Sequence, residues 1–307
     1  MLESTNSKII PKVAKKQHLS LDAKCVNIDP KKVRYNGPVK AVILDWSGTL
    51  LDAGVLAPAV VFVDVFKKFG INITMLEARI PMGLRKDLHI GALLKLESVR
   101  IQWFVKYGSY PDENTQNIMF KEFVPMQLSC LHQYSTIIPG ADTTVQYLRK
   151  NGIKTGLTTG FTKEMSDVLR EEAKKQGVDL DTTVAGDEVV HGARPSPFMV
   201  YKNLDNLGIY PIQAVVKVDD TVTGVGEGLN AGCWTVGLCR WSNYTNYDSL
   251  EQMNTASQQE IEQRSKEARK ILKNSGAHYI IEDISELPEV IECINTNLSQ
   301  DVSPTDI

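Results

Sequence analysis

The feature that most constrains the fold is a series of short apolar runs, each separated from the next by a helical stretch. The runs are Val39–Asp45, Lys154–Thr159, Ala214–Asp220, Cys233–Leu238 and His278–Ile281. Connecting helices are predicted at Thr162–Gln176, Pro197–Leu207, Gln258–Asn274 and Pro288–Leu298. Such alternation is typical of an α/β fold with a doubly wound, mostly parallel sheet. We predict this core for residues 39–54 and 135–298.

The chain between the first two predicted strands has a different character. From about residue 57 to residue 133 the apolar residues recur at helical spacing, with few strand signals. We therefore predict a helical cap domain at residues 55–134. In open α/β sheets, ligands bind outside the carboxyl ends of the strands, so a cap inserted there would cover the site. Residues 299–307 are predicted to be a loose tail.

Charge and hydropathy exclude two classes of protein. The chain has 34 basic and 37 acidic residues, a balance that argues against a nucleic-acid binder that depends on bulk electrostatics. The best apolar run, Leu56–Val63, is too short for a membrane span and contains Pro58. Five scattered cysteines form no metal-binding pattern and indicate reduced thiols. We expect a cytoplasmic protein with neither a nucleic acid nor a membrane as partner.

The N-terminal segment is the exception to this charge balance. Nine basic and three acidic residues lie within residues 1–40. We interpret residues 1–38 as a basic, flexible extension, because the segment lacks a secretory apolar core and is rich in Lys rather than Arg. Organelle targeting or a partner contact stays open as an alternative.

Polar residues at the ends of the predicted strands carry the chemistry. Asp45 ends the first run, Thr159 the second, and Asp219 with Asp220 the third, while Arg194 lies between the last two. These groups suit phosphoryl transfer to a carboxylate, with Asp45 as nucleophile. Mg²⁺ prefers oxygen ligands of the kind that Asp45 and Asp220 offer. Thr159 and Arg194 would hold the phosphoryl oxygens.

The predicted cap supplies an amine. The spacing predicts that Met82, Lys86 and His89 share one helical face. A partly neutral Lys86 would condense with an aldehyde, and the iminium would accept the electrons released when a carbon–phosphorus bond breaks. Burial under a closed cap, or a neighbouring cation, would lower the pKa of Lys86 as this requires. His89 would shuttle protons during imine formation, and Met82 would border the site.

Several motifs resemble those of the haloacid dehalogenase superfamily and, within it, the phosphonoacetaldehyde hydrolases. The similarity runs over about residues 39–285. The motifs are Asp45-Trp-Ser-Gly-Thr-Leu-Leu-Asp-Ala-Gly, Pro81-Met-Gly-Leu-Arg-Lys, Thr158-Thr-Gly-Phe-Thr-Lys-Glu-Met, Arg194-Pro-Ser-Pro-Phe-Met-Val-Tyr-Lys-Asn and Lys217-Val-Asp-Asp-Thr-Val. The cap motif with Lys86 is the specific one, because the acidic strand ends alone fit many relatives.

The resemblance implies a reaction and a set of roles. Asp45 would attack phosphorus while Lys86 holds the small-molecule phosphonate as a Schiff base, giving acetaldehyde and phosphate. It implies a haloacid dehalogenase-like core and a homodimer formed through the cap. It also implies Mg²⁺ bound by Asp45, the backbone carbonyl of Ser47 and Asp220, with Asp219 as support. Substrate contacts are expected at Met82, Gly83, Gly160 and Phe161.

The chain departs from the family pattern at several positions. Ser47 stands where superfamily phosphotransferases have a second Asp and the phosphonoacetaldehyde hydrolases have Ala. Val55 replaces a Cys, and Phe161 replaces a Tyr. Gly224 stands where the family has a carboxylate that supports the metal, and Asp219 is the residue that would restore the charge. Which of Asp219 and Asp220 binds metal directly stays open, with Asp220 favoured.

Three hypotheses follow from these residues. The first is a Mg²⁺-dependent phosphonoacetaldehyde hydrolase. The second is another capped phosphohydrolase that acts on a related phosphonate or on a phosphate ester. The third is a catalytically decayed homologue that serves as a binding protein, which the missing carboxylate at Gly224 would explain.

Overall fold

Residues 34–307, the part of the chain that this computed structural model describes, contain a six-stranded parallel sheet with helices around it. Residues 1–33, which hold most of the predicted N-terminal extension, lie outside the described residues. The predicted doubly wound α/β fold is confirmed. Each predicted strand is present, with ends that differ by no more than two residues.

The order of the strands explains where a ligand can bind. The strands are β1 (Ala41–Leu44), β2 (Lys154–Thr159), β3 (Val184–Ala185), β4 (Val215–Asp219), β5 (Trp234–Leu238) and β6 (Tyr279–Ile281), arranged in the order β3-β2-β1-β4-β5-β6. β1 pairs in parallel with β2 on one side and with β4 on the other. The connections therefore diverge on either side of β1, and open sheets of this order bind ligands in the crevice at that point.

Two groups of helices connect these strands. Between β1 and β2 lie α1 (Leu56–Lys68), α2 (Met75–Arg79), α3 (Lys86–Leu93), α4 (Glu97–Tyr107), α5 (Glu113–Cys130) and α6 (Ala141–Lys150). After β2 come α7 (Lys163–Lys175), α8 (Phe198–Leu207), α9 (Val222–Ala231), α10 (Leu250–Thr255), α11 (Gln258–Lys273) and α12 (Leu287–Ser299). We call α1 to α5 the helical insertion.

The chain passes between the sheet and the helical insertion at two adjacent places. On the outward path Asp52 and Val55 adopt left-handed backbone conformations, with φ of 51° and 53°. The Asp52 carboxylate accepts hydrogen bonds from the backbone N–H groups of Leu56 and Ala57, and so caps the start of α1. On the return path Ile138 N–H donates to the Leu50 carbonyl. Residues 52–55 therefore form a short linker between the loop after β1 and the first helix of the insertion.

Burial follows the apolar pattern of the sequence. All residues of β1, β4 and β5 are buried, as expected for parallel strands that are covered on both faces. The largest apolar cluster includes Leu44 and Val218 of the sheet together with Phe62 and Phe123 of the helical insertion. Helices and sheet therefore share a continuous apolar core.

The structure differs from the sequence-based predictions in three details. The two-residue β3 and the short α10 were not expected, because elements of that length leave little periodicity to detect. Met82 does not share a helix with Lys86, because α3 begins at Lys86 and Gly83 has a φ of 94°. The end of the chain is packed rather than loose, since Pro304 is buried and its carbonyl is within 2.8 Å of His278 Nε2.

Among the described residues, none of the helices combines the length and the apolar character required to cross a lipid bilayer.

Candidate active site

Asp45 lies directly after β1, at the carboxyl edge of the sheet. Its carboxylate oxygen Oδ1 is 3.0 Å from Nη2 of Arg194. Burial raises the pKa of Asp45 above its usual range, and the Arg194 guanidinium opposes this. The residue is thus a buried carboxylate held by a cation, at the place where the strand order reverses.

Asp219 and Asp220 follow β4 and have different surroundings. Both oxygens of Asp219 are engaged, since Lys217 Nζ donates to Oδ2 at 2.7 Å, and Thr221 donates to Oδ1 from N–H and from Oγ1. Asp220 Oδ2 accepts from the backbone N–H of Asn243 at 2.8 Å, but its buried Oδ1 has no hydrogen-bond partner among the described residues. Burial, and then the charges of Asp219 and Asp45, raise the pKa of Asp220 well above its usual range.

These carboxylates fit a hard divalent cation. One oxygen from each of Asp45, Asp219 and Asp220 lies within 4.8 Å of the others. The free Oδ1 of Asp220 provides a ligand atom that would otherwise be left buried and unsatisfied. Because Asp219 is already saturated, the geometry favours Asp220 as the direct ligand. Ser47 is buried in the turn after Asp45, where a Cβ on Gly48 would lie 2.4 Å from Oδ2 of Asp220.

The carboxylate of Asp219 occupies the space above Gly224. A Cβ built on Gly224, in the first turn of α9, would lie 2.0 Å from Cγ of Asp219. Real Cβ atoms do not approach other atoms so closely, so a side chain at position 224 and the present Asp219 side chain exclude each other. The strand end therefore supplies a carboxylate to the volume that a longer residue on α9 would fill.

Arg194 and Thr159 flank the nucleophile candidate. The Arg194 guanidinium also donates from Nε to Glu227 at 3.0 Å and from Nη2 to Thr158 Oγ1 at 2.8 Å. Burial alone would lower the pKa of Arg194, but the surrounding carboxylates outweigh it and raise the pKa. The buried Thr159 hydroxyl accepts from the Phe161 N–H at 3.2 Å.

Lys86 is the first residue of α3 and only 4% exposed. Its Nζ lies 4.4 Å from the ring centroid of Phe161, and it makes no hydrogen bond or ion pair with the described residues. Burial, with a smaller contribution from the Arg194 charge, lowers the pKa of this amine to about 8, although the Asp45 charge opposes the shift. A substantial neutral fraction at physiological pH follows, as nucleophilic lysines require.

His89 lies one turn beyond Lys86 and is fully buried. Its ring stacks on Phe62 at a centroid distance of 3.8 Å, and Nε2 is 2.8 Å from the Ala78 carbonyl, so Nε2 carries the proton. Burial, and secondarily the Lys86 charge, hold the pKa of His89 well below its usual range. The ring is thus neutral, and its buried Nδ1 has no hydrogen-bond partner in the described part of the chain.

Two glycines allow the helical insertion to contact the loops that follow β2 and β4. A Cβ on Gly160 would lie 2.3 Å from the Leu84 carbonyl oxygen, and a Cβ on Gly83 would lie 2.6 Å from Thr221 Oγ1. The Lys86 backbone N–H donates to the Gly160 carbonyl at 3.2 Å. Bare backbone at both positions therefore brings the start of α3 onto the loops that follow β2 and β4.

Comparisons with known proteins indicate the family of this chain. Residues 39–232 match the family model of the haloacid dehalogenase-like hydrolases. A phosphonoacetaldehyde hydrolase of Bacillus cytotoxicus is 44% identical over 83% of this chain and 96% of its own length. A bifunctional phosphonoacetaldehyde hydrolase/aminoethylphosphonate transaminase of Clostridioides difficile is 39% identical over 89% of this chain, which spans 43% of that longer protein. The crystal structure of a phosphonoacetaldehyde hydrolase-like protein from Oleispira antarctica superposes with a TM-score of 0.85 at 37% identity, covering 89% of this chain and 98% of that one.

The chain belongs to the phosphonoacetaldehyde hydrolase family.

One small cavity gathers the predicted residues of this family member. Its volume is about 20 Å³, room for about one water molecule. Asp219 and His89 do not line it. The predicted residues that line it are Asp45, Ser47, Met82, Gly83, Lys86, Thr159, Gly160, Phe161, Arg194 and Asp220.

Two buried charged residues of this hydrolase were not predicted. Lys217, inside β4, is completely buried and pairs with Asp219. Glu227, in α9, accepts from Thr158 Oγ1 at 2.7 Å and pairs with Arg194. The sequence did contain a signal for Lys217, because it interrupts an otherwise apolar run. A charged residue in a buried strand needs a buried partner of opposite charge. Glu227 carried no such signal, because it lies in the glycine-rich stretch of α9.

Proposed function

We propose that this chain hydrolyses the carbon–phosphorus bond of phosphonoacetaldehyde to acetaldehyde and phosphate. The observation that carries the proposal is the pairing of a buried amine of lowered pKa on the helical insertion with a buried carboxylate at the end of β1. Lys86 and Asp45 line the same cavity. An ordinary phosphate-ester hydrolase needs no such amine, and the names of the relatives indicate an aldehyde substrate.

Lys86 would prepare the substrate for bond cleavage. Its neutral Nζ adds to the aldehyde carbon, and loss of water leaves a protonated imine. The imine nitrogen then provides an electron sink two bonds from the carbon that is attached to phosphorus. The pKa of about 8 makes the neutral amine accessible without a dedicated strong base.

Asp45 would carry the phosphoryl group. A carboxylate oxygen forms a bond to phosphorus while the carbon–phosphorus bond breaks, and the electron pair moves through carbon to the imine nitrogen, giving an enamine on Lys86. Arg194, 3.0 Å from Asp45, and the Thr159 hydroxyl would hold the phosphoryl oxygens. Protonation of the enamine carbon and hydrolysis of the imine release acetaldehyde and regenerate the amine.

Water completes the reaction by attacking the acyl phosphate, which releases phosphate and regenerates the Asp45 carboxylate. His89 would act in the imine steps through its unprotonated Nδ1, which has no hydrogen-bond partner among the described residues. Mg²⁺, held by Asp45, Asp220 and the Ser47 carbonyl with Asp219 behind them, would supply charge neutralisation at the phosphoryl group.

The deciding experiment combines product detection with chemical trapping. Purified protein with Mg²⁺ should release acetaldehyde and phosphate in equal amounts, and borohydride should attach a two-carbon adduct at Lys86. Lys86→Arg preserves the positive charge but forms no imine, so it should lose the adduct and the turnover. Asp45→Asn preserves the shape of the side chain and should retain the adduct while losing phosphate release. Phosphate release without an adduct would exclude the Schiff base.

The two other hypotheses have distinct outcomes in the same assay. Faster turnover of an aldehyde-free phosphate ester than of phosphonoacetaldehyde would favour another capped phosphohydrolase. No turnover together with no binding of Mg²⁺ would favour a decayed homologue. The position of Asp219 speaks against a decayed homologue. Its carboxylate lies above Gly224, close to the place where the family has a carboxylate.

We further propose that the helical insertion is a mobile cap, with the boundaries 55 and 134 predicted above. The cavity of about 20 Å³ is smaller than any phosphonate, so the substrate needs an open form. Two copies would associate through the outer face of α4, where several large apolar side chains are exposed. They are Ile101, Phe104, Val105 and Tyr107, with Tyr110 just beyond the helix.

A further inference from the structure

Arg79, the last residue of α2, is a charged residue buried without an obvious catalytic purpose. It is only 3% exposed and does not line the cavity at Lys86 and Asp45. Burial lowers the pKa of its guanidinium to about 10, so it stays charged at neutral pH. A buried charge is costly unless its donors are satisfied, so its contacts indicate what it stabilises.

The Arg79 guanidinium joins the helical insertion to a loop that follows β5. Nη2 donates to the Tyr247 carbonyl at 2.6 Å, and Nη1 donates to Asn243 Oδ1 at 3.1 Å. Nη1 also donates to the carbonyl of Gly54, in the linker, at 2.7 Å. Asn243 returns a contact from Nδ2 to the Arg79 carbonyl. The insertion, its linker and the loop at residues 243–247 therefore meet at one side chain.

Asn243 connects this junction to the candidate cation site. Its backbone N–H donates to Asp220 Oδ2 at 2.8 Å, whereas Asp220 Oδ1 is left without a partner. The N–H of Asn243 thus selects which oxygen of Asp220 is free and where it points. Outer partners of this kind orient metal ligands, and removing them typically costs about 10–100-fold in metal affinity.

We infer that Arg79 is a positioning residue that couples docking of the helical insertion to the orientation of the Asp220 carboxylate, through Asn243. When the insertion is docked, Arg79 fixes the loop at residues 243–247 and Asp220 presents Oδ1 to a cation. When the insertion lifts, these contacts break and the loop is free to shift. The inference rests on the proposed function in two respects: Asp220 is taken as a ligand of Mg²⁺, and the helical insertion is taken as a mobile cap.

Arg264 provides a matched control, because it holds the same loop from the opposite side. This residue of α11 donates from Nη1 to the carbonyls of Thr245 and Asn246, at 2.7 and 2.9 Å, and its guanidinium stacks 4.5 Å from the Tyr247 ring centroid. Arg264→Met removes support of the loop but no contact with the insertion. Arg79→Met removes both, and Arg79→Lys retains the charge but not the fork of donors.

The experiment measures two quantities in the absence of substrate. The first is the dissociation constant of Mg²⁺ by calorimetry, and the second is the rate at which Lys86 is reductively methylated, read by mass spectrometry. We expect Arg79→Met to weaken Mg²⁺ binding by about tenfold or more and to speed modification of Lys86. Arg264→Met should leave both within about twofold, and Arg79→Lys should be intermediate. Adding Asn243→Ala to Arg79→Met should cause little further loss, because coupled residues are not additive.

Two results would overturn the coupling. One is unchanged Mg²⁺ affinity in a folded Arg79→Met, or in Arg79→Lys if the first variant does not fold. The other is an equal loss in Arg264→Met, which would assign the effect to general weakening of the loop. A wild-type chain that binds Mg²⁺ but cleaves no phosphonate would defeat the proposed reaction and leave this coupling intact. A wild-type chain that binds no Mg²⁺ would defeat both.

Discussion

At the scale of single residues, the proposed reaction requires Lys86 to be buried enough to have a lowered pKa and yet to remain accessible to an aldehyde. Its Nζ is surrounded by the rings of Phe161 and Phe62, at 4.4 and 5.9 Å from their centroids, and lacks an ion-pair partner among the described residues. Desolvation, rather than a strong base, therefore makes it nucleophilic. The low pKa of His89 is part of the same arrangement, because both groups are buried together.

The pH dependence of trapping tests this arrangement of Lys86. Only the neutral amine attacks the aldehyde, so the rate of borohydride-trapped adduct should rise with pH through an apparent pKa of about 8 and level off above it. Below that pH the rate should fall about tenfold per unit. Adduct yield after short incubations across pH 6 to about 10 provides the measurement. A rate that still rises steeply at the upper end of this range would indicate the ordinary Lys pKa of 10.5 and thus a solvated amine.

The side chain of Asp219 occupies the space above Gly224, so this conformation of Asp219 is compatible only with glycine at position 224. Asp219→Gly would leave the buried Lys217 without its closest carboxylate, and breaking such a pair costs about 3–5 kcal/mol. Gly224→Asp alone would force two carboxylates into one volume. The double variant, Asp219→Gly with Gly224→Asp, should recover part of the stability and part of the Mg²⁺ affinity. Urea unfolding and calorimetry of all three variants measure the coupling, and strictly additive losses would contradict it.

At the scale of elements, the start of α3 and the loop after β2 meet through backbone alone. The Lys86 N–H donates to the Gly160 carbonyl, and the Leu84 carbonyl lies where a side chain at position 160 would begin. The position of the amine above Asp45 therefore depends on two loops with no side chain between them. Small displacements there would act directly on the two groups that we propose react with the substrate.

Gly160→Ala should lower kcat/KM by about 10²-fold, because its Cβ would lie 2.3 Å from the Leu84 carbonyl and push α3 away from the sheet. The fall should come with faster methylation of Lys86, as the insertion no longer closes fully. Gly226→Ala on α9 is the matched control, since a Cβ there makes only an ordinary contact of 3.5 Å with Pro195. Equal activity of the two variants would show that the close approach at Gly160 is dispensable.

The elements also show what the sequence could and could not reveal. The run of β1 is unbroken and that of β4 is interrupted by Lys217 alone, so these strands and the polar residues after them were predictable. β2 is less apolar and was predictable from its place after a helical stretch. The face proposed for Met82, Lys86 and His89 was only partly right, because Gly83 turns the chain just before α3. Met82 nevertheless lines the cavity, brought there by that turn rather than by helical spacing.

Interactions between distant segments were beyond the sequence pattern. Arg79 and Asn243 are separated by 164 residues, and neither belongs to a recognisable motif. The exclusion between Asp219 and Gly224 depends on the distance between a strand end and the following helix, which no spacing rule supplies. The candidate site residues were therefore predictable from the sequence, whereas the contacts that hold them in place depend on the tertiary structure.

At the scale of the whole molecule, the helical insertion has two faces with opposite properties. The face towards the sheet carries Lys86 and merges into the shared core, where Phe62 and Phe123 are fully buried. The outer face of α4 exposes large apolar side chains, with Val105 at 80%. Contiguous exposed apolar residues on a soluble domain mark an interaction surface. A second copy of the chain is the partner that the family resemblance implies.

Self-association through α4 makes a prediction that a single charge can test. Val105→Glu places a charge at the centre of the proposed interface, where it would be buried without a partner, and should convert a dimer into a monomer. Val190→Glu is the matched control, because Val190 is 92% exposed in a loop outside the helical insertion and should leave the dimer intact. Analytical ultracentrifugation of both variants and the wild type measures the oligomeric state directly. A wild type that sediments as a monomer, or a dimer that survives in Val105→Glu, would assign the apolar face of α4 to something other than pairing of this chain.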